Sequence, residues 1–199
     1  MMNERGLNIV GSMVYRWVQH YSPELQKKAS SFIKSYSDSW KIDETYVKVK
    51  GEWLYLYRAI DSRGQTIDFY LSRTRNHKAV RLILRKLINK QNITEPRVVN
   101  VDANPAYPKA FVALKKESKL ANTILGTKKY LNNLIEQDNR RVKWKNKDSL
   151  GHHSYKTAYN TIRGVETMHM FFKKQLYQSL LKTSKTSSKG NLVYLLQFF

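Results

Sequence analysis

From Trp40 the residues take a period of two, short turns then separate two further extended stretches up to Leu71, and from Val80 the apolar residues change to a helical spacing, which predicts an antiparallel meander followed by a covering helix. In the first stretch Asp43, Thr45, Val47 and Val49 fall on one side of a strand, with Ile42, Glu44, Tyr46 and Lys48 on the other. Lys50-Gly51-Glu52 reads as a turn, Trp53–Ile60 as a second strand, Ser62-Arg63-Gly64-Gln65 as a turn and Thr66–Leu71 as a third strand. Val80, Ile83, Leu84, Leu87 and Ile88 then trace one face of a helix whose other positions are Arg81, Arg85, Lys86 and Asn89. After the breaker Pro96, the β-branched run Arg97–Asp102 predicts a buried strand with Asp102 at its carboxyl end. Asn104 and Pro105 are placed to cap and start a helix through Leu114, a weaker extended stretch covers Leu120–Leu125, and helices are expected from Tyr130 and over Ser154–Leu181, the latter interrupted at Gly164.

The order β-β-β-α-β-α-β-α, with a right-handed crossover, predicts an α/β fold: a mixed five-stranded sheet of order 3-2-1-4-5 flanked by helices. Strands 1 and 4 then become central neighbours. Ahead of the sheet, Val14, Trp17, Val18 and Tyr21 mark one amphipathic helix that Pro23 with Ser22 is expected to end or bend, with a linker over Lys27–Asp38.

A length of 199 residues suits one full domain with a short appendage. Lys and Arg total 36 against 15 Asp and Glu, a formal charge of +21 that self-repulsion disfavours and a polyanionic partner explains. With 41% hydrophobic and 12% aromatic residues, the chain is too apolar for a disordered basic tail. The absence of Cys excludes a disulfide scaffold, a thiolate zinc site and a cysteine nucleophile. No apolar run approaches the length of a membrane span, and a bacterial cytoplasmic, nucleoid-associated location is expected.

The predicted topology has a chemical consequence. Asp43 on the first strand and Asp102 at the tip of the fourth converge, and Glu136 can join them from the helix after the fifth strand, where it shares a face with Arg140 and Lys143. Three clustered carboxylates repel unless a cation lies between them, and hard oxygen donors suit Mg²⁺ or Mn²⁺, here expected as two ions that assist phosphodiester chemistry. The basic run RRVKWKNK supplies Arg140, Arg141, Lys143 and Lys145 for a phosphate backbone and Trp144 for stacking. Glu44, pointing the other way, is expected to form ion pairs. Asp61 and Asp68 read as turn and surface acids, and His152-His153 as a pair facing water.

The stretches YRWVQHY, KIDETYVKVKGEWLYLYRAID, VDANPAYPKA and KYLNNLIEQDNRRVK resemble the short bacterial insertion-sequence transposases of the DDE class, with an integrase-type catalytic core, across roughly residues 12–178. The resemblance implies an RNase H-like fold, carries the catalytic and metal-binding triad onto Asp43, Asp102 and Glu136, and assigns Lys143 to the element's terminal DNA. It also implies a partial helix-turn-helix remnant and linker over 1–38, in which Arg16, Trp17 and Gln19 contact DNA, a catalytic core with its C-terminal helix over 39–182, and an atypical, flexible tail over 183–199. The expected activity is cleavage at terminal inverted repeats and strand transfer into target DNA by a homodimer or larger synaptic complex. The alternatives are a metal-dependent nuclease without strand transfer and a catalytically inactive, truncated DNA-binding protein.

Overall fold

The computed structural model describes residues 9–33, 35–90, 93–127, 132–147 and 152–176, with the side chains of 141–147 outside the described set. Along the chain run α1 (Gly11–Phe32), β1 (Ser39–Val49), β2 (Glu52–Asp61), β3 (Thr66–Ser72), α2 (His77–Ile88), β4 (Val98–Asn100), α3 (Ala106–Lys116), β5 (Ile124–Gly126), α4 (Asn133–Lys147) and α5 (Tyr155–Phe172). They fall into two compact units, one made of residues 1–34 and 156–199 and the other of Ser35–Tyr155.

The second unit is built on a five-stranded sheet of order β3-β2-β1-β4-β5, the order expected from the sequence. Lys50 and Gly51 both adopt left-handed backbone (φ 50° and 85°), which a two-residue hairpin with matching strand twist requires, and the turn sets Val49 opposite Glu52 and Asp43 opposite Arg58. β4 pairs in parallel with β1, Lys41 beside Asn100, and with β5, giving a mixed sheet. One face of the sheet carries the main core: Trp40 and Ile42 of β1 with Tyr57 and Ala59 of β2, covered by Val80, Ile83, Leu84 and Leu87 of α2 and by Tyr107, Ala110, Phe111 and Leu114 of α3. Each fully buried leucine, isoleucine or valine among them contributes roughly 1.5–3 kcal/mol. From Asp43 onward the buried positions of β1 change sides: Thr45, Val47 and Val49 are buried on the opposite face. At that end His152 pairs with Val49, and the Tyr155 hydroxyl donates to the Leu71 carbonyl at 2.7 Å.

Several local expectations are corrected. α1 does not stop at Pro23, and Lys27–Asp38 is not a linker throughout, because the helix continues to Phe32 with Ala29 buried. Proline removes the N–H that would bond the Gln19 carbonyl; Asn160 Nδ2 of α5 donates to that carbonyl instead, at 3.3 Å. α5 is likewise unbroken at Gly164. A Cβ there would lie 2.5 Å from Ser22 Oγ, so this glycine permits the close crossing of α1 and α5. α3 starts one residue later than expected, at Ala106, with Asn104 Oδ1 accepting from its N–H at 3.0 Å. Asp61 is fully buried, accepting from the N–H groups of Ser37 and Gln65. Asp68 is buried beneath Lys86 and Lys90, and His152 is buried and bound to β1 through its backbone. Among the described residues no helix is long and apolar enough to cross a membrane.

Candidate active site

Asp43 lies at the point where the buried positions of β1 change sides, half-buried on the face opposite Trp40 and Ile42. The parallel register that sets Lys41 beside Asn100, carried two residues further, brings the chain after β4 alongside it at Asp102. Asp102 is itself held in a tight turn, its Oδ1 accepting from the Asn104 N–H at 3.2 Å. Asn104 Nδ2 in turn donates to both oxygens of Glu44, at 3.1 and 3.4 Å, and Arg75 completes the neutralisation of that acid. Glu44 is thus an ion-paired residue on the other face, as its position in the strand predicts, and it ties the Asp102 turn to β1.

α4 is fastened over Asp43 by a network that crosses the sheet. Asn139 Nδ2 donates to Asp43 Oδ2 at 2.7 Å, and its Oδ1 accepts from Arg58 Nη1 at 2.6 Å. The other arm of Arg58, Nη2, meets Asp138 Oδ2 at 2.8 Å. Arg58 and Asn139 are each 1% exposed, so this charge is answered inside the protein by Asp138 and leaves Asp43 with a neutral partner. Glu136, one turn before Asn139, and Arg140, beside it, are both exposed.

The electrostatics join the three acids. Burial pushes the Asp43 carboxyl above its ordinary value, and the negative charges of Asp102 and Glu136 push it further, against the opposing hydrogen bonds from the Glu44 backbone and Asn139. Both acids therefore lie within Coulombic reach of Asp43. Among the described residues, no three acidic or imidazole side chains are drawn together closely enough to form a finished ion cage. The donor set nonetheless fits a hard divalent cation: carboxylate oxygens, which such ions prefer, with the Asp43 carboxyl half-buried. The same field reaches Tyr107, whose buried hydroxyl is held well above its usual range by burial and by Glu44, Asp102 and Asp43.

Of the residues expected to meet DNA, Arg16 and Trp17 are exposed on α1 and Arg140 on α4. Gln19 is half-buried on the same helix as Arg16 and Trp17, its amide donating to the Thr157 carbonyl and the Thr161 hydroxyl of α5, at 3.2 and 2.9 Å. The side chains of Arg141, Lys143, Trp144 and Lys145, and the tail 183–199, lie outside the described residues. Arg58, Asp138 and Asn139 escaped the sequence reading. The signal was an arginine inside the otherwise apolar run LYLYRAI, where a charge without a partner is not tolerated.

Comparison with known proteins places this geometry in a family. A family model described as a DDE domain matches residues 37–175. A Staphylococcus aureus transposase for insertion sequence-like element IS431mec is 40% identical over 174 residues, which is 87% of this chain and 75% of that protein. The Staphylococcus aureus transposase for insertion sequence element IS257 in transposon Tn4003 is 39% identical over the same shares. Among solved structures, the catalytic core domain of BIV integrase covers 77% of this chain and 99% of its own at 14% identity and TM-score 0.47. A chain of the Mos1 strand transfer complex covers 84% of this chain and 62% of its own at 12% identity and TM-score 0.42. On the family model and the staphylococcal relatives together, the chain belongs to the DDE-domain transposases of bacterial insertion sequences.

Proposed function

We propose that the chain cleaves DNA at the terminal inverted repeats of an insertion sequence and joins the freed 3′ ends to target DNA, with Asp43, Asp102 and Glu136 as the residues that hold divalent metal. The observation that carries this reading is the half-buried Asp43 carboxyl under the field of both other acids. Mg²⁺ or Mn²⁺ bound there, as a pair of ions, supplies activation of an oxygen nucleophile and stabilisation of the leaving oxygen. The protein's own contribution is placement. Asn139 fixes the rotamer of Asp43, the Asn104–Glu44 link fixes the turn of Asp102, and the buried Arg58–Asp138 pair seats the helix that carries Glu136. Arg140, exposed beside Glu136, together with Arg141, Lys143 and Lys145, is assigned to the phosphate backbone, Trp144 to stacking, and Arg16 and Trp17 to end recognition from α1. Joining two ends in one event calls for a homodimer or larger synaptic complex, acting in the bacterial cytoplasm at the nucleoid.

The test is incubation of the protein with labelled terminal-repeat DNA, an unlabelled target plasmid and Mg²⁺. Joined products support the proposal. Nicks without joining indicate a nuclease, and a shifted, uncut band indicates a catalytically silent DNA-binding protein; either result overturns the proposed strand transfer. Asp102→Asn is expected to abolish cutting, and unchanged cutting by that variant would overturn the metal assignment.

A further inference from the structure

On the face of β1 that carries Trp40 and Ile42, the core ends at Glu44, and the β1–β2 hairpin continues past it with aromatic residues in solvent. Tyr46 is 46% exposed and Trp53 61%, while Tyr55 is half-buried at the rim of the core. The register pairs Tyr46 with Tyr55 and Lys48 with Trp53, so the rings stand side by side: Tyr46 to Tyr55 at 5.4 Å, Tyr46 to Trp53 at 6.4 Å and nearly perpendicular, with Lys48 Nζ 5.9 Å from the Trp53 ring centre. A single exposed aromatic is ordinary, but a contiguous cluster on an uncovered sheet face marks a contact surface. Across β2, Tyr55 pairs with Ser72, and there an open groove begins, lined among others by Tyr70, Ser72, Arg73, Thr74 and Lys78, with no acid among the described residues that line it. The neighbouring acid, Glu44, is already neutralised by Arg75.

We propose that this hairpin face is a stacking platform for an unpaired stretch of DNA, whose bases lie against Tyr46 and Trp53 and whose phosphates run into the groove at Arg73 and Lys78. The charge decides the occupant. A second copy of the chain would set one surface of a +21 molecule against another, whereas a single strand offers π-faces to the rings and negative charge to the cations. A duplex keeps its base faces inside the stack and does not satisfy the rings. Alternation along β1 turns Asp43 to the opposite face, so the strand held here is separate from the phosphodiester placed at the three acids. The inference rests on the transposase reading only for the source of the unpaired strand.

The experiment measures fluorescence anisotropy of a labelled oligothymidylate and of a labelled duplex of equal length with the full chain, in EDTA, so that a chain that cuts nothing still returns an answer. Trp53→Ala is expected to weaken single-strand binding about 5- to 100-fold, the loss of one base stack, and to leave duplex binding within about twofold. Trp53→Phe is expected to keep most of the affinity, and Tyr46→Ser to repeat the loss at a second position. Unchanged thermal midpoints are expected, since neither ring is part of the core. Equal single-strand affinity in wild type and both deletions would overturn the proposal, as would a parallel loss for duplex and single strand. A fall in oligomeric mass on Trp53→Ala with single-strand affinity intact would assign the face to a second copy of the chain instead.

Discussion

Replacing Arg58 by methionine keeps the length and apolar stem of the side chain and deletes the charge that both Asp138 and Asn139 answer. The consequence follows from burial. Arg58 is 1% exposed and Asp138 10%, so the carboxylate left behind has almost no access to water and has lost its 2.8 Å partner. Breaking a buried pair from one side costs about 3–5 kcal/mol, far more than breaking a solvent-exposed pair such as Lys28–Glu24. For a chain of this size, that corresponds to a fall of roughly 6–20 °C in the thermal midpoint. Replacing the carboxylate as well, in Arg58→Met with Asp138→Leu, is expected to recover at least half of the loss, because two apolar side chains can substitute for a buried ion pair. Urea denaturation of the wild type, both single variants and the double variant closes the cycle. A single-variant cost below about 1 kcal/mol, or a double variant no more stable than Arg58→Met, would refute the view that α4 is seated over Asp43 by an enclosed ion pair.

Asp43→Asn is expected to stabilise the metal-free chain at neutral pH. The folded carboxyl titrates above its ordinary 3.8, so the folded state keeps its proton longer; that stabilisation is full below 3.8 and is lost as pH climbs through the raised value. The gain in thermal midpoint should therefore appear at pH 7 and vanish below pH 3.8, and a gain independent of pH would contradict the cause assigned. His152 behaves oppositely: burial holds it below 6.5, so its contribution is present above 6.5 and is lost as pH falls through the lowered value, and His152→Gln should flatten that part of the stability profile measured by thermal melts. Gly164→Ala is expected to destabilise by about 1–3 kcal/mol despite alanine's better helix propensity, since its Cβ would meet Ser22 Oγ at 2.5 Å. Ser22→Ala in the same chain should restore most of the loss in urea denaturation.

The sheet and its order were legible because the alternation along β1, the turn residues between the strands and the helical stripe of α2 reflect burial and chain reversal directly. Asp43, Asp102 and Glu136 could be proposed from the same order of elements, which sets β1 beside β4. What stayed hidden depends on pairs far apart in the chain. Arg58 and Asn139 are joined across α4 and β2, and no local pattern around either announces the other. α1 outlasts Pro23 because Asn160, in the last described helix, supplies the missing donor, and Gly164 serves the same crossing where sequence alone suggests a break. His152 reads as a solvent-facing residue until its backbone is seen paired with Val49.

The central claim is that three acids distant in sequence act as one metal-binding unit, and Mn²⁺ binding followed by electron paramagnetic resonance tests it most directly. Asp43→Asn, Asp102→Asn and Glu136→Gln are each expected to weaken binding of the ion by tenfold or more while the chain remains folded. Undiminished binding in any one of the three variants would remove that residue from the site and contradict the account.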